Sequence, residues 1–153
     1  MNIEEKIKSL NLKLPEPPKP AGAYIPVVRA GSFIFTSGML PIEAQKIKIK
    51  GKLGKEVNIS QGYEAARICI LNGLSAIKQE IGSLDKIKQV IRLNGYIQSE
   101  KGFTEQANVL NGASELLVSI FGEAGKHSRT AIGVSELPLN ASVELDMTLG
   151  VEE

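Results

Sequence analysis

The sequence has no tryptophan, and it contains a single histidine and a single cysteine, Cys69. One cysteine cannot form an intrachain disulfide, and one histidine with one cysteine does not provide the usual nitrogen and sulfur ligands of a zinc site. Long apolar runs are also missing, and acids and lysines occupy the amino terminus where a signal peptide needs an apolar core. We therefore expect a cytoplasmic protein that uses no metal.

Net charge is small as well. The 18 basic and 17 acidic side chains nearly cancel over 153 residues, so no overall field attracts nucleic acid, an acidic membrane or a polyanionic substrate. That length suits one domain, and the 42% of hydrophobic residues is enough for one core. Any partner must therefore be recognised by local features of the chain.

Four prolines between positions 15 and 20 interrupt the amino-terminal segment. Proline excludes regular helix and favours an extended course, so the short helical pattern over residues 3–10 must end before them. We interpret residues 1–21 as an arm that packs or links, and residues 22–153 as the domain.

Strand patterns occur in four places. The segments YIPVVRA and SFIFTSG are rich in β-forming residues and are separated around Gly31, which predicts a hairpin. Arg129 precedes TAIGV, whose small and apolar residues predict a buried strand. Two further segments alternate like long strands, with one apolar side each. These sides consist of Ile87, Ile91, Leu93 and Ile97 in the first, and of Ala141, Val143, Leu145, Met147 and Leu149 in the second.

Two other segments repeat apolar residues at helical spacing. The first begins at the candidate cap Ser60 and stops at Gly82, and the second stops at Gly122. Cys69 lies at the margin of the first apolar face and is interpreted as structural. The two faces consist of Tyr63, Ala66, Ile70, Leu74, Ile77 and Ile81, and of Gln106, Val109, Ala113, Leu117 and Ile120.

This order of elements predicts an α+β fold with two helices on one side of a sheet. The other sheet face, which carries Glu144 and Asp146, must then meet water or another subunit. A subunit covering these carboxylates would create a partly buried polar cleft, which is a natural place for a small ligand.

Lysines alternate with isoleucines in QKIKIKGKLGKEV, which predicts a strand with one lysine face formed by Lys46, Lys48 and Lys50. Such a face can contact phosphates, and charged edges also protect an exposed strand from unwanted pairing. No aromatic residue interleaves the lysines for base stacking, so the pattern favours the protective role.

Three segments together resemble the RidA family, also called YjgF or endoribonuclease L-PSP, in a longer subgroup with an amino-terminal arm. They are GAYIPVVRAGSFIFTSGMLP, the helix with ASELL after Asn111, and SRTAIGVSELPLNASVELDM. The resemblance implies a chorismate-mutase-like fold, assembled as a homotrimer with the sheets in a central barrel and small-ligand clefts between subunits. The best-understood members hydrolyse enamine and imine intermediates, such as 2-aminoacrylate, to 2-keto acids and ammonia without a cofactor.

The resemblance also implies roles for residues of this chain. Arg129 matches the arginine that grips the substrate carboxylate, which a planar guanidinium can do with two parallel hydrogen bonds. Glu144 matches the acid that orients or activates the attacking water. The substrate-binding residues that it implies are Tyr24, Ser37, Gly38, Asn111, Thr130 and Ala131.

Structural alternatives exist for these assignments. Arg129 can instead pair with Glu144 or Asp146 to join strands, and Glu144 can be a solvated strand residue. The other side chains can serve as interface, turn or solvated helix residues. His127 belongs to the loop that enters the strand rather than to the catalytic groups.

Several positions depart from the pattern of the deaminases. Ala131 stands where many members have cysteine, Thr130 stands where serine is common, and Gly133 and Glu136 also differ. These departures keep open a non-catalytic trimer that binds small carboxylates or regulates. A ribonuclease or translation inhibitor is disfavoured, because the charge is near neutral, aromatic residues are only 5% and there is no histidine pair.

Overall fold

A computed structural model describes residues 1–17, 19 and 22–153. Pro18, Pro20 and Ala21, which belong to the predicted arm, lie outside the described residues. The elements in chain order are α1 (Ile3–Ser9), β1 (Val27–Ala30), β2 (Phe33–Thr36), β3 (Ile42–Glu43), β4 (Lys46–Ile47), α2 (Ile59–Ile81), β5 (Ile87–Gln98), α3 (Gln106–Phe121), β6 (Ser128–Val134) and β7 (Val143–Val151).

Five strands form one sheet in the order β1-β2-β7-β5-β6, in which β5 and β6 are parallel and the other neighbours antiparallel. The predicted hairpin is confirmed, because β1 and β2 pair across Gly31, whose positive φ suits a tight turn. Helices α2 and α3 pack against each other and against the same face of the sheet. The predicted α+β fold with two helices on one side is therefore confirmed.

The alternation predicted for β7 is confirmed, whereas that of β5 is only partly correct. In β7 the apolar residues are buried under the helices, and Glu144 and Asp146 lie half-buried on the other face. In β5, Ile91 was predicted to be buried, but it is half-buried and its neighbour Val90 is buried instead. Two irregularities in the β5–β7 pairing shift the alternation there, and a bulge of this kind leaves no mark in the apolar pattern.

The first long helix is capped two residues earlier than predicted. Asn58, not Ser60, caps α2: its side chain accepts a hydrogen bond from the Gln61 N–H at 2.8 Å, and the Gln61 side chain accepts one from the Asn58 N–H at 2.9 Å. This reciprocal capping box satisfies two helix-end donors, which Ser60 inside the first turn cannot do. The predicted ends at Gly82 and Gly122 are confirmed.

The strand after Arg129 is not buried as predicted. β6 is the last strand of the sheet, it pairs with β5 alone, and Thr130 and Ile132 are exposed. An apolar run therefore did not distinguish a central strand from an edge strand. This edge position leaves the Arg129 end of β6 accessible from the side of the molecule.

The lysine face is confirmed as an exposed surface. Lys46, Lys48 and Lys50 are exposed while the isoleucines between them are half-buried. Regular pairing is short, since β4 pairs with the two residues of β3 and Lys50 then bridges to Ala141. The Lys48 Nζ lies 2.6 Å from a carboxylate oxygen of Glu43, so one of the three lysines already has an acidic partner.

The described part of the arm packs on its own chain. Ile7 of α1 is only 2% exposed, and Glu4 pairs with Lys78 of α2 at 3.0 Å. Further along, the Pro15 carbonyl accepts a hydrogen bond from the Ser75 hydroxyl at 2.6 Å. Within the residues described, the helices are all too short or too polar to cross a membrane.

Candidate functional site

The predicted site residues form two groups that one chain does not bring together. Arg129 is in register with Leu93, which is fully buried beneath the helices, whereas Glu144 is in register with Tyr96 on the open face. Successive side chains of a strand point to opposite faces. Arg129 therefore lies on the helix side of the sheet and Glu144 on the other side.

The first group surrounds the guanidinium of Arg129 beside helix α3. Its Nη1 donates a hydrogen bond to the Ser114 hydroxyl at 3.0 Å, and its Nη2 donates a longer one to the Ala107 carbonyl at 3.4 Å. This guanidinium opens onto a cavity of about 300 Å³. The residues that line it are Asn111, Ser114, Val118, Lys126, His127 and Arg129. An open cavity with cationic and hydrogen-bonding groups can accept a small anion.

Two of the departures noted in the sequence have local explanations. Ala131 lies on the same side of β6 as Arg129 and packs against the hydrophobic core. A Cβ at Gly133 would lie 2.7 Å from the amide nitrogen of Gln106, and that amide donates a hydrogen bond to the Phe103 carbonyl at 2.7 Å. Glycine at this position therefore leaves room for an amide that fixes the start of α3.

The second group surrounds the carboxyl of Glu144. Met39 and Leu145 exchange backbone hydrogen bonds of 2.7 and 3.1 Å, which bring the loop after β2 against β7. As a result, a Cβ at Gly38 would lie 3.0 Å from a carboxyl oxygen of Glu144. Any larger residue at Gly38 would cover that carboxyl.

The remaining residues of this group lie in the loops around β1 and β2 and on strand β6. The Ser37 hydroxyl donates a hydrogen bond to the Ile25 carbonyl at 2.7 Å, which ties the segment before β1 to the loop after β2. Tyr24 precedes that contact, and its side chain is 56% exposed. Thr130 lies on the open face, where its hydroxyl accepts a hydrogen bond from Arg92.

The two carboxylates of β7 have different surroundings. Asp146 accepts hydrogen bonds from the Asn94 amide at 2.9 Å and from the Tyr96 hydroxyl at 3.2 Å. Burial raises the pKa of the Glu144 carboxyl, and the charge of Asp146 raises it further. Glu144 therefore holds a proton more readily than an ordinary glutamate does.

Arg129 does not form the strand-joining pair that the sequence left open as an alternative, because it faces α3 and contacts Ser114 and Ala107. Sequence reasoning missed Ser114, although it lies three residues after Asn111 and shares its helix face. His127 lies closer to the site than expected, since its Nε2 is 2.9 Å from the Ser114 hydroxyl oxygen.

Residues 4–148 match the YjgF/chorismate mutase-like, putative endoribonuclease family. This chain belongs to the YjgF family. The resemblance inferred from the sequence is thereby confirmed, and the observed α+β layout agrees with this family assignment. Membership of the YjgF family indicates a small-molecule-binding or deaminase-type role.

Relatives of this YjgF protein match it along nearly its whole length. TCP17 of Trypanosoma cruzi is 39% identical over 145 residues, which cover 94% of this chain and 91% of TCP17. The crystal structure of a putative endoribonuclease from Shewanella oneidensis has a TM-score of 0.95 and 36% identity, and the match covers 99% of this chain and 100% of that one. The structure of Escherichia coli TdcF with bound serine shares the fold, with a TM-score of 0.62 and 22% identity. The match covers 90% of this chain and 94% of the TdcF chain.

Proposed function

We propose that this protein is an enamine/imine deaminase that hydrolyses reactive 2-imino acids to 2-keto acids and ammonia in clefts between the subunits of a homotrimer. The observation that supports this proposal is that the candidate site residues of one chain lie on opposite sides of its sheet. An arginine cavity lies on one side of the sheet, and a carboxyl with a raised pKa lies on the other. Each group supplies one half of what imine hydrolysis requires.

The chemistry needs an anchor and one group that moves protons. Arg129 binds the carboxylate of the imino acid through its planar fork of N–H groups. Water adds to the carbon of the C=N bond while Glu144 takes its proton and delivers a proton to the nitrogen. The C–N bond then breaks, the carbonyl forms and ammonia leaves, so the atoms balance without a further reactant.

A second chain would supply the missing half of each site. The open sheet face carries large apolar side chains that are each 45–48% exposed, namely Val28, Phe33, Phe35 and Ile132. Apolar side chains exposed on an open sheet face are typical of a face that another subunit covers. Because β6 is an edge strand, a neighbouring chain packed on that face can bring its Arg129 cavity to Glu144 of the first chain.

Other observations favour a small carboxylate over nucleic acid as the ligand. TdcF, which shares the fold, has been observed with bound serine, an amino acid that carries a carboxylate. Both ring nitrogens of His127 already have hydrogen-bond partners within the chain. The lysine face defined by Lys46, Lys48 and Lys50 is partly neutralised by Glu43.

The proposal is tested by an imine-decay assay. An amino-acid oxidase generates 2-iminobutyrate, and semicarbazide traps what survives. We expect the wild type to deplete the imine and Arg129→Ala to lose at least about tenfold in activity, which is the scale for removing a charged anchor. Arg67→Ala, on α2 beside Glu64, is the matched control and should retain activity.

Wild-type turnover by Arg129→Ala would contradict the proposed anchor. If the wild type leaves the imine untouched, the deaminase assignment fails, and binding without catalysis becomes the function to test. In that case 2-ketobutyrate should raise the melting temperature of the wild type but not of Arg129→Ala, because a ligand held only by the folded state stabilises it.

A further inference from the structure

Beside the Arg129 cavity, three side chains form a continuous chain of hydrogen bonds. The His127 Nδ1 lies 2.6 Å from the Gly125 carbonyl oxygen, and its Nε2 lies 2.9 Å from the Ser114 hydroxyl oxygen. The same hydroxyl oxygen lies 3.0 Å from Nη1 of Arg129. All three side chains are half-buried and line the cavity.

When the imidazole of His127 is neutral, the chemistry of the partners sets the direction of every hydrogen bond in this network. A carbonyl oxygen can only accept, so His127 must carry its proton on Nδ1 and donate it to Gly125. In the neutral ring Nε2 is then an acceptor, and it takes the single hydroxyl proton of Ser114. The lone pairs of the Ser114 oxygen are left to accept from the guanidinium, which can only donate.

We propose that His127 and Ser114 are positioning residues that hold the guanidinium of Arg129 in the orientation that binds the substrate carboxylate. His127 acts through Ser114: by accepting the hydroxyl proton, it keeps the oxygen of Ser114 turned toward Arg129 as an acceptor. With Nη1 held by Ser114 and Nη2 near the Ala107 carbonyl, the remaining N–H groups of Arg129 are left for the ligand.

Two other roles for the same contacts are weaker. A serine nucleophile activated by histidine would need free lone pairs on its oxygen, but Arg129 donates into them. Its place within helix α3 also keeps Ser114 from the exposed turn that such a nucleophile occupies. A purely structural tie between α3 and the loop before β6 would need only the contact of Ser114 with His127, not the contact of Ser114 with Arg129.

The first test is spectroscopic and requires no ligand. His127 is the only histidine of the chain, so a long-range ¹H–¹⁵N spectrum of the uniformly labelled protein needs no assignment. The positioning chain requires the neutral Nδ1–H form, which is the minor form of a histidine in water. An Nε2–H spectrum would overturn the proposal, because His127 would then donate to Ser114 instead of accepting from it.

The second test separates the hydrogen bond of the His127 Nε2 from that of its Nδ1. In His127→Gln the side-chain carbonyl can reach the position of Nε2 and accept from Ser114, whereas His127→Asn keeps a donor near Nδ1 and loses the acceptor. We expect His127→Gln to bind benzoate nearly as the wild type does. His127→Asn and Ser114→Ala should each weaken binding by about threefold to tenfold, the range for one lost hydrogen bond.

Two measurements on the variants distinguish a loss of Arg129 positioning from a loss of folding. In the Ser114→Ala background, His127→Asn should cause no further loss, since its effect passes through the serine. The melting temperature of each variant shows whether the chain still folds. Stronger impairment in His127→Gln than in His127→Asn, or additive losses in the double variant, would assign His127 to the loop instead and overturn the proposal.

The affinity measurement rests on the proposed function, whereas the spectrum does not. If the wild type binds no benzoate and turns over no imine, the deaminase proposal fails. The tautomer of His127 then decides whether the positioning chain exists: the Nδ1–H form supports it and the Nε2–H form overturns it. The two proposals therefore fail by different measurements.

Discussion

At the scale of single residues, the carboxyl of Glu144 gives the sheet face a pH-dependent contribution to stability. Asp146 accepts hydrogen bonds from Asn94 and Tyr96, while burial and the nearby Asp146 charge raise the pKa of Glu144. A raised folded-state pKa means that the native state favours the protonated form. Stability from this group is then lost as pH rises from the ordinary glutamate pKa through the folded-state pKa.

The stability of Glu144→Gln relative to the wild type should therefore increase as the pH rises from about 4, the ordinary range of a glutamate pKa, to neutral. Thermal unfolding of both proteins across this pH range measures the difference. Glu80→Gln, at an exposed position of α2, controls for the loss of one negative charge. A difference between Glu144→Gln and wild type that stays constant with pH would exclude a contribution from Glu144 ionisation.

The sheet face of Glu144 could be predicted from the sequence, but the grouping of the candidate site residues could not. Alternation in β7 placed Glu144 on the open face correctly, because a strand with one buried side repeats every two residues. The sheet face on which Arg129 lies depends on which strand pairs with β6 and in which register they pair. That information lies in contacts between distant segments, which local patterns do not contain.

At the scale of elements, predictions that rest on local patterns were confirmed, and those that depend on contacts beyond the apolar pattern were wrong. Helices and long strands were predictable because their apolar spacing is local. The bulges that bury Val90 instead of Ile91 depend on pairing with β7, and the cap at Asn58 depends on a reciprocal contact with Gln61. Asparagine and serine both cap helices well, so only the observed contact decides between them.

The amino-terminal arm gives a prediction for one element. Ile7 of α1 is almost fully buried among the core residues, and α1 contacts α3 and the turn at Leu84–Lys86. Ile7→Ala should lower the free energy of unfolding by about 2 kcal/mol or more, because removing a large buried side chain loses transfer energy and leaves a cavity. Urea unfolding measures the loss.

Lys8→Ala is the matched control, since the neighbouring side chain on the same helix is exposed. It should change the free energy of unfolding by less than about 0.5 kcal/mol. Equal unfolding midpoints for Ile7→Ala and Lys8→Ala would show that the arm does not pack on its own chain in solution.

At the scale of the whole molecule, the opposite-face arrangement makes assembly a requirement of the proposed chemistry. One sheet separates the Arg129 cavity from Glu144, so neither group can complete the other's site within a chain. The exposed apolar side chains on the open face provide a surface on which a second copy can pack. Light scattering after gel filtration should report about three chains per particle.

Mixed assemblies test whether the site is shared. Arg129→Ala chains keep an intact Glu144, and Glu144→Gln chains keep an intact Arg129, so each variant alone should lose at least about tenfold in imine decay. After co-refolding equal amounts, random assembly into cyclic trimers places two intact halves at about one quarter of the clefts. Imine turnover should recover to about that fraction of the wild-type rate. A mixture that stays as inactive as its parents would mean that both groups do not act in one shared cleft, because only a neighbouring chain can supply the half that each variant lacks.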